Sequence, residues 1–219
     1  MKISVIIPAY NEEKYISKVI RLVKKCKCAD EIIVVDNNST DNTSKIAKKN
    51  GAITVFCKEQ GKGYAMEKGI STATGDVFVF LDGDICNYKD NFINMLINPI
   101  INDNIDFVKA TFDRSGGRVT ELVAKPLLEI LFPYLGHFQQ PLSGIIAGKK
   151  EVFTKLILDK DYGVDIGLLI DVYKENAKIQ EVNIGKIKNY SQDWHSLIDM
   201  SKQVSTAILK RADYSIEKR

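Results

Sequence analysis

Within the first 85 residues, short and almost wholly apolar runs alternate with segments of helical periodicity. The runs are ISVIIP from residue 3, EIIVVD from residue 31, AITVFC from residue 52 and DVFVFLDGD from residue 76. Between the first two, EEKYISKVIRLVKKC places Tyr15, Ile16, Val19, Ile20 and Val23 on one helical face. STDNTSKIAKKNG has cap-type residues at its start and Gly51 at its end, and GKGYAMEKGISTATG supplies a third helix. Strands apolar along their whole length are covered on both faces, and alternation with helices marks a parallel sheet. The expected fold is α/β, doubly wound, with a mostly parallel central sheet and helices on both faces.

The second half is less regular. IDFVKATF and IQEVNIGKI read as strands, and WHSLIDMSKQVSTAILKRAD as a long terminal helix. RVTELVAKPLLEILFPYL is helical but contains Pro126, which must kink it or begin a new helix. No repeat or linker interrupts the 219 residues, so one domain spanning 1–219 is expected. The net charge of +3, with no basic stripe among aromatics, gives no footprint for nucleic acid. Cys26, Cys28, Cys57 and Cys86 do not form C-x-x-C pairs, and His137 and His195 lie far from them in sequence. Free thiols in a reducing cytoplasm are therefore expected rather than a zinc site. MKISVIIPAY lacks the pattern of a signal peptide, and no apolar run has the length of a membrane span. The expected location is cytoplasmic, from where a membrane-borne substrate is still reachable.

Ligands of open α/β sheets bind outside the carboxyl ends of the strands. Polar residues mark each such end here. They are Pro8-Ala9-Tyr10-Asn11-Glu12, the stretch Asp36 to Asp41 containing Ser39, then Gly61-Lys62-Gly63, and Asp82-Gly83-Asp84. Each alone reads equally as a turn and helix cap. Together they suggest one site. Asp36 suits a base or ribose. Gly61-Lys62-Gly63 opens a helix, where backbone N–H groups and a lysine suit phosphate. It is neither a P-loop nor the dinucleotide G-x-G-x-x-G, which argues against a nicotinamide enzyme. Asp82 and Asp84 suit Mg²⁺ or Mn²⁺ bridging a diphosphate.

SVIIPAYNEE, EIIVVDNNSTDNT, GKGYA and FLDGD resemble the motifs of nucleotide-sugar-dependent glycosyltransferases of the A-type fold, with D-x-D as the metal signature. FDRSGGRVTELVAKPLL, QPLSG, YGVDIGLLIDV and MSKQV are similar to glucosyl-3-phosphoglycerate synthases, so the resemblance spans nearly the whole chain. It implies transfer of glucose from UDP-glucose, or from a GDP-sugar in some relatives, to 3-phosphoglycerate with retention. It implies a nucleotide-sugar-binding half over 1–85 and an acceptor half over 86–219 that ends in the C-terminal helix. Pro8, Ala9, Tyr10, Asn11, Glu12, Asp36, Ser39, Lys62, Asp82 and Gly83 would bind the donor. Gly116, Gly117, Arg118 and Thr120 would hold the acceptor's anionic groups, and Arg114 flanks the same glycines. Asp82 and Asp84 would hold the metal.

In two places the sequence departs from those synthases. Ile145 stands where they carry a glutamate, and Asn189 stands where they carry a histidine metal ligand. His195, the nearest histidine, either completes the metal site or is a surface residue in the first turn of the last helix. Asp165 is either a first-turn acid favoured by the helix dipole or a site residue. In an inverting enzyme it would be the general base. That alternative is a family-2-like transferase acting on polyprenyl phosphate or a glycan. A non-catalytic nucleotide-sugar binding module is a further alternative, whereas a nucleotidyltransferase would show a G-x-G-T-R-like loop where PAYNEE stands. Trp194 is expected to pack, and Met and Leu of the last helix to line the core or a homodimer face.

Overall fold

The computed structural model of the chain describes residues 1–85, 87–113, 117–187 and 193–212. In chain order the elements are β1 Ile3–Ala9, α1 Ile16–Cys26, β2 Glu31–Asp36, α2 Thr43–Lys49, β3 Ile53–Phe56, α3 Lys62–Thr72 and β4 Val77–Phe80. There follow α4 Phe92–Asn102, β5 Phe107–Asp113, a π-helical turn Thr120–Ala124, α5 Lys125–Leu131 and a 3₁₀ turn Pro133–Leu135. The chain continues through β6 Ile146–Lys149, α6 Lys150–Thr154, α7 Val164–Lys174, β7 Ile179–Lys186 and α8 Trp194–Arg211. The strands form one seven-stranded sheet in the order β3-β2-β1-β4-β6-β5-β7. All neighbours pair parallel except β6, which runs antiparallel to both β4 and β5.

Strand β1 pairs with β2 on one side and β4 on the other. The chain thus reverses its direction of sheet growth at β1, opening a crevice at the carboxyl ends of β1 and β4. Strands β1, β2 and β4 are almost wholly apolar because both their faces are buried. In β1, Val5 and Ile7 join α1 and α4 in one core cluster, while Ile6 joins α3 and α7 in another. A third cluster gathers Val119, Leu128, Ile166, Leu169, Val204 and Ile208 from α5, α7 and α8.

One expectation is corrected: β3 is an edge strand, and its Ile53 and Phe56 are exposed rather than covered. Three elements, α4, β6 and α6, carry no clear signal in the sequence. Pro126 begins a helix rather than kinking one: it sits in the first turn of α5, directly after the π-helical turn, where its missing N–H costs least. In α8, Leu197 and Met200 pack on the third cluster, whereas Leu209 is exposed. Cys26, Cys28 and Cys57 are free thiols. Among the described residues no helix is long and apolar enough to cross a membrane.

Candidate active site

The loops after β1, β2 and β3 are laced together. Asn11, in left-handed backbone at φ 56°, donates its N–H to Ser39 Oγ at 3.0 Å and accepts from Thr40 N–H at 2.9 Å. Glu12 N–H donates to Thr43 Oγ1 at 2.7 Å. Asp36 is buried, and its Oδ1 accepts from Ser39 N–H at 3.0 Å, so one carboxylate oxygen is spent on its own turn. Asn37 ties in the third loop: its Nδ2 donates to Glu59 O at 2.6 Å and its Oδ1 accepts from Gly61 N–H at 2.8 Å. Buried amides that satisfy both ends rigidify a loop cluster. Sequence reasoning passed over Asn37, because Asn-Asn-Ser reads simply as a turn.

Gly61 and Gly63 do not form the expected phosphate cradle. Gly63 N–H already donates to Lys160 O at 3.1 Å. A Cβ on Gly63 would meet Asp159 O at 1.7 Å, and one on Gly61 would meet Lys160 O at 2.2 Å. These glycines let the 159–160 backbone press onto the start of α3. Lys62, between them, is the group left for chemistry. Its Nζ donates to Asp82 Oδ1 at 3.1 Å and to Asp165 Oδ2 at 2.7 Å. Burial pulls the Lys62 pKa down, but Asp165 and then Asp82 outweigh it and raise it, so the ammonium stays charged. Asp165, in the first turn of α7, is 3% exposed, and its Oδ1 is buried with no hydrogen-bond partner among the described residues. Burial raises its carboxyl above the usual range, against Lys62 and Lys109. Gly144 closes this corner: a Cβ there would sit 2.2 Å from Lys62 Nζ and 2.6 Å from Asp82 Oδ1.

The Asp82-Gly83-Asp84 turn lies against the first loop, where a Cβ on Gly83 would be 3.2 Å from Glu12 Cγ. Burial, then Asp84, Asp82 and Asp41, push the Glu12 carboxyl up to about 7. The negative charge of these aspartates on Glu12 is a repulsion that a hard divalent cation would relieve. The residues present therefore fit Mg²⁺ or Mn²⁺ on Asp82 and Asp84. Among the described residues, no three His, Cys, Asp or Glu side chains converge in a ready metal cage. Asn189 lies outside the described residues, as does Gly116. His195 is exposed in the first turn of α8, its N–H bonded to Asp193 Oδ1 at 2.9 Å.

The raised Glu12 carboxyl sets a pH dependence. A carboxyl whose pKa rises from 4.5 to about 7 on folding contributes stability that is present below pH 4.5 and lost as pH climbs through about 7. Metal-free protein should therefore lose thermal stability over that window, and Glu12→Gln should flatten the loss. Mn²⁺ should raise the Tm more at about pH 8 than at about pH 5. A metal-induced shift equal at both pH values would remove the ion from this cluster.

Where the acceptor loop is expected, Glu121 N–H donates to Gly117 O at 2.9 Å, and Thr120 is buried. Arg118 is exposed, with Cζ 5.4 Å from the centre of the Trp194 ring. Trp194 is 61% exposed, so it is a cation–π partner for Arg118 rather than a packing residue. Ile145 is fully buried in the α1/α4 cluster, a core position.

The β1/β4 switch point, a D-x-D turn and a buried lysine–aspartate corner define a glycosyltransferase of the A-type fold. Residues 4–162 match the model for glycosyl transferase family 2, and the chain belongs to that family. Its relatives narrow the comparison. It is 36% identical to the glucosyl-3-phosphoglycerate synthase of Petrotoga mobilis over 97% of this chain and 74% of that one. It is 38% identical to the glucosyl-3-phosphoglycerate synthase of Mycobacterium tuberculosis over 95% of this chain and 73% of that one. The crystal structure of the Mycobacterium tuberculosis enzyme with Mn²⁺, UDP-glucose and phosphoglyceric acid superposes with a TM-score of 0.91 at 39% identity, covering 96% of this chain and 79% of that one.

Proposed function

We propose that this chain transfers glucose from UDP-glucose to 3-phosphoglycerate with retention of configuration. The observation that carries this reading is the Lys62–Asp82–Asp165 corner. It joins the D-x-D turn to a buried aspartate through one ammonium. In this reading residues 1–85 bind the donor: Asp36 reads the base or ribose with its second oxygen, and the first loop lines the diphosphate. Residues 86–219 bind the acceptor through Gly116, Gly117, Arg118 and Thr120. Mg²⁺ or Mn²⁺ on Asp82 and Asp84 would supply Lewis-acid stabilisation of the leaving diphosphate.

The anomeric C1–O bond to UDP breaks, and an acceptor hydroxyl oxygen bonds C1 on the same face. Its proton passes to the departing phosphate. Asp165 anchors the Lys62 ammonium, and Lys62 in turn holds Asp82 in register. Asp165 Oδ2 is taken by Lys62 at 2.7 Å and its Oδ1 is buried, which counts against the inverting reading with Asp165 as general base. A cytoplasmic homodimer completes the proposal.

A screen of UDP- and GDP-sugars with Mn²⁺ and 3-phosphoglycerate, read by product mass, tests it. UDP-glucose should give a glucosylated product. Transfer only to polyprenyl phosphate or a glycan would move the alternative ahead, and no turnover of any donor would leave a binding module. Asp36→Ala should raise the donor KM about tenfold with kcat little changed, as expected for uniform binding. Unchanged donor affinity in calorimetry would reduce Asp36 to a turn residue.

A further inference from the structure

Strand β5 carries a lysine with no exposed surface. Lys109 Nζ donates to Ser143 O at 2.9 Å and to Asp165 O at 3.1 Å. Ser143 belongs to the turn before β6, and Asp165 to the first turn of α7. Both turns carry atoms of the site. Gly144, next to Ser143, abuts Lys62 Nζ and Asp82 Oδ1, and the Asp165 carboxylate holds Lys62. Burying an ammonium is costly, and an apolar side chain of similar length would fill a strand position without that cost. Burial lowers the Lys109 pKa to about 8, with Asp165 opposing, Lys62 adding, and Glu181 and Asp82 opposing. A cation retained against that penalty, bonded to the backbone under two site turns, has a role in placing them.

We propose that Lys109 is a positioning residue for the transfer reaction: it fixes the Ser143–Gly144 turn and the Asp165 turn so that Asp165 holds the Lys62 ammonium against Asp82. This rests on the glucosyl-transfer reading above. Lys109 touches no reacting atom and acts through Asp165.

The test compares Lys109→Met in the wild type and in an Asp165→Asn background. UDP release from UDP-glucose with Mn²⁺ is followed with and without 3-phosphoglycerate. Lys109→Met should lower kcat about tenfold in the wild type, with donor KM little changed. In the Asp165→Asn background it should cost less than about twofold, because residues acting as one unit are non-additive. The Tm should fall moderately with the fold kept, because Ser143 O and Asp165 O lose their donor. Equal losses in both backgrounds, an unchanged kcat or a lost fold would each overturn the proposal. If 3-phosphoglycerate fails to speed UDP release by the wild type, the acceptor reading falls instead. Slow donor hydrolysis then still ranks the variants and decides the role of Lys109.

Discussion

Asp84→Asn is expected to lower kcat by about a hundred- to a thousandfold at saturating Mn²⁺, the scale set by losing several kcal/mol of transition-state charge stabilisation. The substitution keeps the shape of the turn and removes one charge. Because Asp84 is the carboxylate that raises the Glu12 pKa most, its neutralisation relieves the repulsion. Metal-free Asp84→Asn should therefore melt no lower than the metal-free wild type, and slightly higher above about pH 7. EDTA should silence the wild type to a similar level and add little to the variant. Full activity in EDTA would sink the metal assignment. Lost activity together with a lower Tm would make Asp84 a fold residue.

The donor half was legible because two separate signals coincide there. Apolar strands covered on both faces declare the parallel sheet, and polar residues at each carboxyl end declare the crevice. The second half gave weaker signals for physical reasons. β6 is four residues long and contains Gly148, so IAGK carries no period. α4 has Pro99 in its interior and three asparagines, yet it buries Phe92, Ile93, Leu96, Ile97 and Ile100 against the sheet. Tertiary burial overrides local propensity in both. Lys109 was invisible as a site residue, because one cation in IDFVKATF reads as a solvent-facing strand position; only the fold shows that both faces of β5 are covered. Gly61 and Gly63 misled in the opposite direction. Their spacing suggests an anion cradle, but the ligand they admit is the Asp159–Lys160 backbone.

That contact also ties the two halves together. Asp159 is bonded by Arg211 Nη1 at 2.5 Å, and Arg211 also grips Asp171 of α7 through Nε at 2.7 Å and Nη2 at 2.6 Å. The end of α8 thus braces the segment pressing on the start of α3, where Lys62 begins its reach to Asp82 and Asp165. Lys62 and Asp165 are held by one connected framework, so the division at residue 85 proposed above would be one of ligand rather than of structure.

Arg118→Ala is expected to lower kcat/KM for 3-phosphoglycerate by roughly ten- to a hundredfold, the loss of a charge-assisted hydrogen bond to an anion. Arg118→Lys should recover part of this, because lysine supplies the charge without the fork. The donor KM should stay unchanged, since the donor-binding residues lie at other strand ends. Trp194 adds an independent readout. It is the sole tryptophan of the chain, and the Arg118 guanidinium stands 5.4 Å over its ring. Engagement of Arg118 by an anionic acceptor should change the Trp194 emission, and Arg118→Ala should abolish that change. Trp194→Ala should raise the acceptor KM by a smaller factor, about threefold, because an exposed cation–π contact is worth under about 1 kcal/mol. Suppose Arg118→Ala instead weakens UDP-glucose and 3-phosphoglycerate equally, or alters neither, and the emission ignores 3-phosphoglycerate. The anionic acceptor then binds elsewhere, and the lipid-phosphate or glycan reading takes its place.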